Sequence, residues 1–474
     1  MRRPLLTLFL ALLLASSAAA QGLPSIEDTT DSLTRMDGFF PIYWDESEGK
    51  VWLEIPQLEM DFLYVVSLPA GLGSNDVGLD RGQLGGERVV RFERVGPKVL
   101  LVQPNLRYRA TTENAAERRA VEDAFAESVV WGFTAVAQTS DSAGTRVLVD
   151  ATDFIVRDAH GVARSLKMTG QGTFQFDASR SAPYPAMLKA FPNNTEMEAR
   201  LTFTSDEPGR YVQDVAADPS APTVRVRHSF VKLPEPGFEP RPFHPGSGYY
   251  PTGYEDYAVP IGEPITQRFV PRHRLEKQDP GAAMGPPVEP IVYYLDPGTP
   301  EPVRSALLDG ARWWNDAFEA AGFQDAFRVE VLPDSADPMD VRYNMIQWVH
   351  RATRGWSYGS SVQDPRTGEI IKGHVTLGSL RVRQDYLIAE GLLSPYSGDH
   401  AGGFPAEDDP MLQMALARLR QLSAHEVGHT LGLAHNFAAS VNDRASVMDY
   451  PAPLATLTDS GTVSLDSAYA VGIG

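Results

Sequence analysis

The chain has 474 residues, 43% hydrophobic and 22% charged, the make-up of a soluble globular protein too long for a single core. Its formal charge of -19 disfavours nucleic acid and anionic membrane surfaces as partners. There is no cysteine, which excludes disulfides, a thiol nucleophile and thiolate metal ligands.

In chain order, Arg2 and Arg3 precede an apolar run from Leu5 to Ala20 that closes on three alanines. A charged start, a short greasy stretch and a small-residue exit read as a secretory signal peptide over 1–20, cleaved before Gln21. The run is too short for a convincing membrane span, and nothing after it reads as one. The expected mature protein is exported, to the periplasm, the cell envelope or the medium. An N-terminal segment, 21–37, leads into a β-rich domain over 38–232. There Val51–Ile55, Phe62–Val66, Val89–Val95, Val99–Gln103, Val147–Val156, Glu198–Phe203 and Thr223–Val231 are short apolar runs separated by turn residues. One helix, near Glu113–Ser128, interrupts them.

Residues 233–290 hold 13 of the chain's 37 prolines. Proline lacks an amide donor and resists helix and central strand, so this is an extended connector. Its Tyr249, Tyr250, Tyr254 and Tyr257 imply that it lies along a domain surface. From 291 the pattern turns α/β. Ile291–Leu295 is a strand of buried type. Thr299 is placed to cap a helix, with Pro300 at its first position and Gly322 past its end. On that helix Val303, Leu307, Ala311, Trp314 and Phe318 share one face, and of Trp313 and Trp314 one belongs to the core. Phe327–Leu332 and Tyr343–His350 are strands, and 357–380 is a strand pair around the turn at 364–368. A loop rich in Gly, Pro and Asp spans 394–410. A second helix runs from Met411 to Gly432, with Leu412, Ala415, Leu416, Leu419 and Leu422 on its buried face.

That helix carries the chemistry. His425 and His429 are one turn apart, so both imidazoles project from the same face and can reach one metal. Gly432 accepts the left-handed conformation that ends a helix and turns the chain back, returning His435 as a third ligand. Three neutral nitrogens leave a zinc ion with an open fourth position, as in catalytic rather than structural sites. Glu426, beside the first ligand, is placed to act as general base on a water activated by the metal. The competing reading, an amphipathic helix with surface histidines, fits five fixed identities at this spacing poorly.

The run from His425 to His435 resembles the elongated zinc motif of metzincin metalloproteases. Ser446-Val447-Met448-Asp449-Tyr450-Pro451 is similar to their Met-turn, which implies that Met448 lies beneath the metal. The same resemblance implies that Tyr450 reaches the zinc or the oxyanion, against the plainer reading of a core tyrosine. Pro290–Asp296, Trp348–Arg351, Gly355–Gly359 and Asp364–Ile371 resemble a bacterial Met-zincin family with an uncharacterised β-rich domain ahead of the protease. The implied architecture is α+β and multidomain, with a metzincin-like α/β zinc protease domain over 291–474. The implied activity is that of a zinc endopeptidase with one catalytic zinc and a protein or peptide substrate. Metzincins continue past the Met-turn into a C-terminal subdomain. With 26 residues after Met448, the expectation is that the C-terminal part of this domain is missing.

Weaker features stay open. Glu369–Leu380 is either the edge strand above the cleft or an interior strand. His273, His350 and His374 read as packed or hydrogen-bonded histidines rather than ligands. Asp399, Asp408 and Asp409 share an acidic loop without a calcium-ligand spacing, so calcium has no support. The rival to a protease is an envelope binding or scaffold protein; intact Glu426 speaks against it. Residues 38–232 could also act as an inhibitory pro-region. Oligomeric state is not legible.

Overall fold

A computed structural model describes residues 22–142, 144–353, 355–393 and 408–474. The expected signal peptide and Asp399 lie outside these residues. The N-terminal unit is a 12-stranded sheet running from Thr34–Met36 at one edge to Gln175–Pro183 at the other. Its pairings are antiparallel, and the long strands Gln83–Val95 and Ser128–Asp141 curl it around one core. Ile42 and Leu53 from one end share that core with Leu201 and Phe203 from the other. Phe40, Phe62, Phe92 and Phe230 meet at its centre, with ring centroids 4.8 to 6.0 Å apart. The ends of the sheet are tied where Thr195 Oγ1 donates to the Phe40 carbonyl at 2.7 Å. In Thr223–Val231 the strand period of two sends Val224, Val226 and Phe230 to this core. Arg225, Arg227 and Ser229 point out of it, towards the second unit.

The expected strand Val147–Val156 ends at Asp150, and Thr152–Ile155 forms a helical turn. The connector is more ordered than a proline count implies. Arg241–Pro242, Thr252–Asp256 and Thr266–Val270 join Tyr108–Arg109 in a 4-stranded sheet.

The C-terminal unit is built on a 5-stranded sheet in the order Phe327–Val331, Ile291–Leu295, Asn344–Val349, Ile370–Gly378, Tyr358–Gln363. The first four strands are parallel and the last is antiparallel. Of the two readings of 369–380, the interior strand is the one formed, and Tyr358–Gln363 is the edge strand next to it. The register alternates faces: Val375 and Leu377 meet the helices, while Lys372 and His374 look towards the N-terminal unit.

Thr299 does not cap the following helix. Its hydroxyl donates to the Asp296 carbonyl, and the helix starts only at Val303, after a second proline. Glu301 serves the first turn instead, accepting from the Ser305 hydroxyl at 2.8 Å. The helix is interrupted at Trp313, between Val303–Arg312 and Trp314–Ala320, and Trp314 is the tryptophan that enters the core. A helix over Leu380–Leu392 was not legible: it buries only Asp385 and Ala389 and leaves Leu387, Ile388 and Leu392 exposed, so it lacks an apolar stripe.

The helix that carries the histidines, Pro410–Thr430, is capped by Asp409, whose carboxylate accepts from the Met411 amide at 2.8 Å. That gives Asp409 a structural role. The helix is buried on nearly every side, not on one face. The sheet, the helix Val303–Arg312 and the chain at 465–469 surround it. Gly310 is why the two helices can cross so closely, since a Cβ there would strike the Arg420 backbone.

Candidate metal centre

The ligand helix ends at Thr430, and Gly432 follows with φ +97, where the Leu433 amide donates to the Gly428 carbonyl at 3.0 Å. This turn returns His435 to the two helical histidines. The Nε2 atoms of His425 and His429 are 3.2 Å apart, and those of His429 and His435 are 3.1 Å apart. Nitrogens bound ~2.0–2.1 Å from one tetrahedral zinc would sit roughly 3.3 Å from each other, so both separations are of the right size.

The donor set fits a cation on chemical grounds. His425 Nδ1 is 2.8 Å from the Val447 carbonyl, and His429 Nδ1 is 2.8 Å from the Leu433 carbonyl. A carbonyl only accepts, so both Nδ1 atoms carry the proton and both Nε2 atoms present lone pairs. Two lone pairs at 3.2 Å repel unless a cation lies between them. Burial pushes His425 down to about 3 and lowers His429 and His435, so the imidazoles are neutral and able to ligate at neutral pH. These three form a metal-ligating cluster among the described residues.

Glu426 is 4% exposed and lies beside the cluster on the same helix. Burial raises its carboxyl to about 8, against the pull of Arg418, a hydrogen bond from the Gly359 amide, and Arg381. A dication at the histidines would add a strong downward pull. Tyr450 Oη stands 2.8 Å from His435 Nε2, and its side chain is half-exposed. Met448 is buried in the core, with its Sδ against Gly428 of the ligand helix. Of the other histidines, His350 bonds Ser379 Oγ at 2.8 Å and His273 approaches Tyr293 Oη at 3.4 Å. His374 is buried against Gly82 and Gln347, and none of the three joins the cluster.

Two glycines that set this geometry were not singled out from sequence. A Cβ on Gly428 would run into Met448 Sδ and come within 2.7 Å of Trp314, so the ligand helix rests on the methionine only because this residue is bare. Glycine inside a helix costs ~1 kcal/mol, and that cost was a legible signal of a packing reason. A Cβ on Gly359 would land on the Glu426 carbonyl, so the edge strand can lie against the helix. Val447 was also missed. Its carbonyl accepts from both His425 and Gln421, and carbonyl placement leaves no mark in sequence.

A helix with two imidazoles one turn apart, a glycine turn, a third imidazole and a methionine packed against that helix define a metzincin-like metal region. Comparison with protein families agrees: residues 407–474 match the Met-zincin family. Residues 82–278 match a domain of unknown function (DUF5117), which runs across both the β-rich unit and the connector. No curated protein and no solved structure matches the chain. Among the described residues, no helix is long and apolar enough to cross a membrane.

Proposed function

We propose that the protein is an exported zinc endopeptidase that hydrolyses protein or peptide substrates, with His425, His429 and His435 holding one zinc. The observation that carries the reading is the set of three convergent Nε2 atoms, two of them locked by carbonyls, with a buried carboxyl alongside. Zinc, when bound, supplies a Lewis acid that polarises the scissile carbonyl and acidifies water. Glu426 takes the proton of the attacking water and passes it to the leaving amine. Tyr450, whose hydroxyl lies 2.8 Å from His435 Nε2, would donate a hydrogen bond to the developing oxyanion. The Val447 and Leu433 carbonyls keep two imidazoles in the ligating tautomer. Export rests on the charged, apolar and small-residue pattern of residues 1–20.

The test is casein cleavage by the full chain alongside zinc content by elemental analysis. About one zinc per chain is expected, with cleavage abolished by o-phenanthroline. Glu426→Gln should retain zinc and lose at least ~1000-fold in kcat/KM. Cleavage that survives both treatments would overturn the reading.

A further inference from the structure

The connector reaches the metal centre. The Tyr250 amide donates to the Gly432 carbonyl at 2.9 Å, and the Ala434 amide donates to the Gly248 carbonyl at 2.8 Å. Between these bonds Tyr249 and Leu433 pair as an antiparallel bridge. The clasp holds the backbone that carries His435 and the carbonyl that orients His429. It is closely fitted: a Cβ on Gly432 would lie 2.5 Å from the Pro271 carbonyl and 3.2 Å from the Tyr249 ring. Gly248, at φ +73, lets the connector turn onto the loop.

The Tyr250 side chain follows its backbone into the site. Its hydroxyl is 3.3 Å from His429 Nδ1, and the two rings are 5.8 Å apart. The Nδ1–H already points at the Leu433 carbonyl, so the Tyr250 oxygen is a second acceptor for the same proton. Its own O–H stays free to donate into the cleft. The field of Glu426 reaches Tyr250, and that of Tyr250 reaches Tyr450, so all three groups share one space. Tyr250 is 42% exposed, which places it at the mouth of the site rather than in a core.

We propose that Tyr250 is a positioning residue for His429, held beside it by the backbone clasp at 248–250. This rests on the zinc reading above. A side chain that shares a ligand's outer proton fixes ring orientation, and loss of such partners typically weakens metal affinity ~10–100-fold.

The experiment measures zinc affinity of the full-length chain by competition with a chromophoric chelator, and the visible spectrum of the cobalt(II) form. Tyr250→Phe keeps the ring and the backbone clasp and removes only the hydroxyl. Its zinc affinity should fall roughly 10-fold and its cobalt spectrum should shift, with the thermal unfolding of the metal-free chain unchanged. Tyr250→Pro also removes the amide donor and should cost about another factor of 10. Parent-like zinc affinity together with a parent-like cobalt spectrum in Tyr250→Phe would overturn the proposal while leaving the metalloprotease reading intact. A parent chain that takes up no zinc would overturn both.

Discussion

The two faces of the 5-stranded sheet follow different rules. Towards the ligand helix the sheet is apolar and close, with Val375, Leu377, Ile346 and Trp348 in one core and Gly359 bringing strand and helix backbones together. Towards the N-terminal unit it is mixed: Val362 and Ile371 join Leu63, Val65 and Val89 in an apolar cluster, and charged groups lie beside it. There Arg351 pairs with Asp80 and Lys189 with Asp337 across the seam, and a cavity of about 470 Å³ is lined by Arg227, Lys372, His374 and Glu198. Metal ligands must stay within a few tenths of an ångström, which close packing secures. The mixed face has only to hold two units together, and it tolerates a wet gap. The comparison predicts that changes on the helix face alter metal binding, whereas changes on the seam alter stability.

The largest effect should come from Gly428→Leu, which drives a side chain into Met448 and Trp314. Zinc affinity in a chelator competition should fall by roughly 100-fold or more. Near-parent affinity would mean that the packing beneath the ligands is not what sets their geometry. Next is Asp80→Ala on the seam. Asp80 and Arg351 are both 2% exposed in side chain, with Nε to Oδ2 at 2.6 Å, and removal of one partner strands a buried charge. Urea unfolding should show a loss of about 3–5 kcal/mol, with zinc affinity of the native chain within threefold of parent. A loss of zinc instead of stability would break the contrast between the faces.

The smallest effect is at Glu87, which accepts from the Gln363 amide where the N-terminal sheet meets the edge strand. Burial raises its carboxyl from 4.5 to about 8, with Asp364 adding to the rise. The folded state therefore keeps a proton up to about pH 8 that the unfolded chain releases near pH 4.5. Over that window stability falls as pH rises. Glutamine cannot titrate, so the Tm of Glu87→Gln relative to parent should climb by roughly 2–5 °C between pH 5 and 8. A flat difference across that range would show that this carboxyl is hydrated and ionised.

The metal centre was legible because imidazole spacing, helix pitch and a left-handed glycine are all local. His425, His429, Gly432 and His435 fall within 11 residues and need no long-range information. Many strands of both units were legible from apolar runs for the same reason, but Ile42–Asp45, Ser128–Asp141 and Gln175–Pro183 were not picked out. Part of what was not legible came from distance along the chain, and part from local detail. Pairing order decided that 370–378 is interior, and a second proline with an acidic side chain moved the helix start from Thr299 to Val303. Tyr250 looked like any connector tyrosine until the backbone brought it next to His429, 179 residues later. The exposed helix Leu380–Leu392 had no apolar stripe to reveal it.

Synthesis order gives the clasp one more meaning. Chains grow from the N-terminus and their domains tend to fold as they emerge. Gly248 and Tyr250, with the connector strands that flank them, leave the ribosome well before Gly432 and Ala434. The receiving edge is then made before the loop that docks on it. His435 follows on that same loop, so the third imidazole emerges after the connector segment that the loop meets.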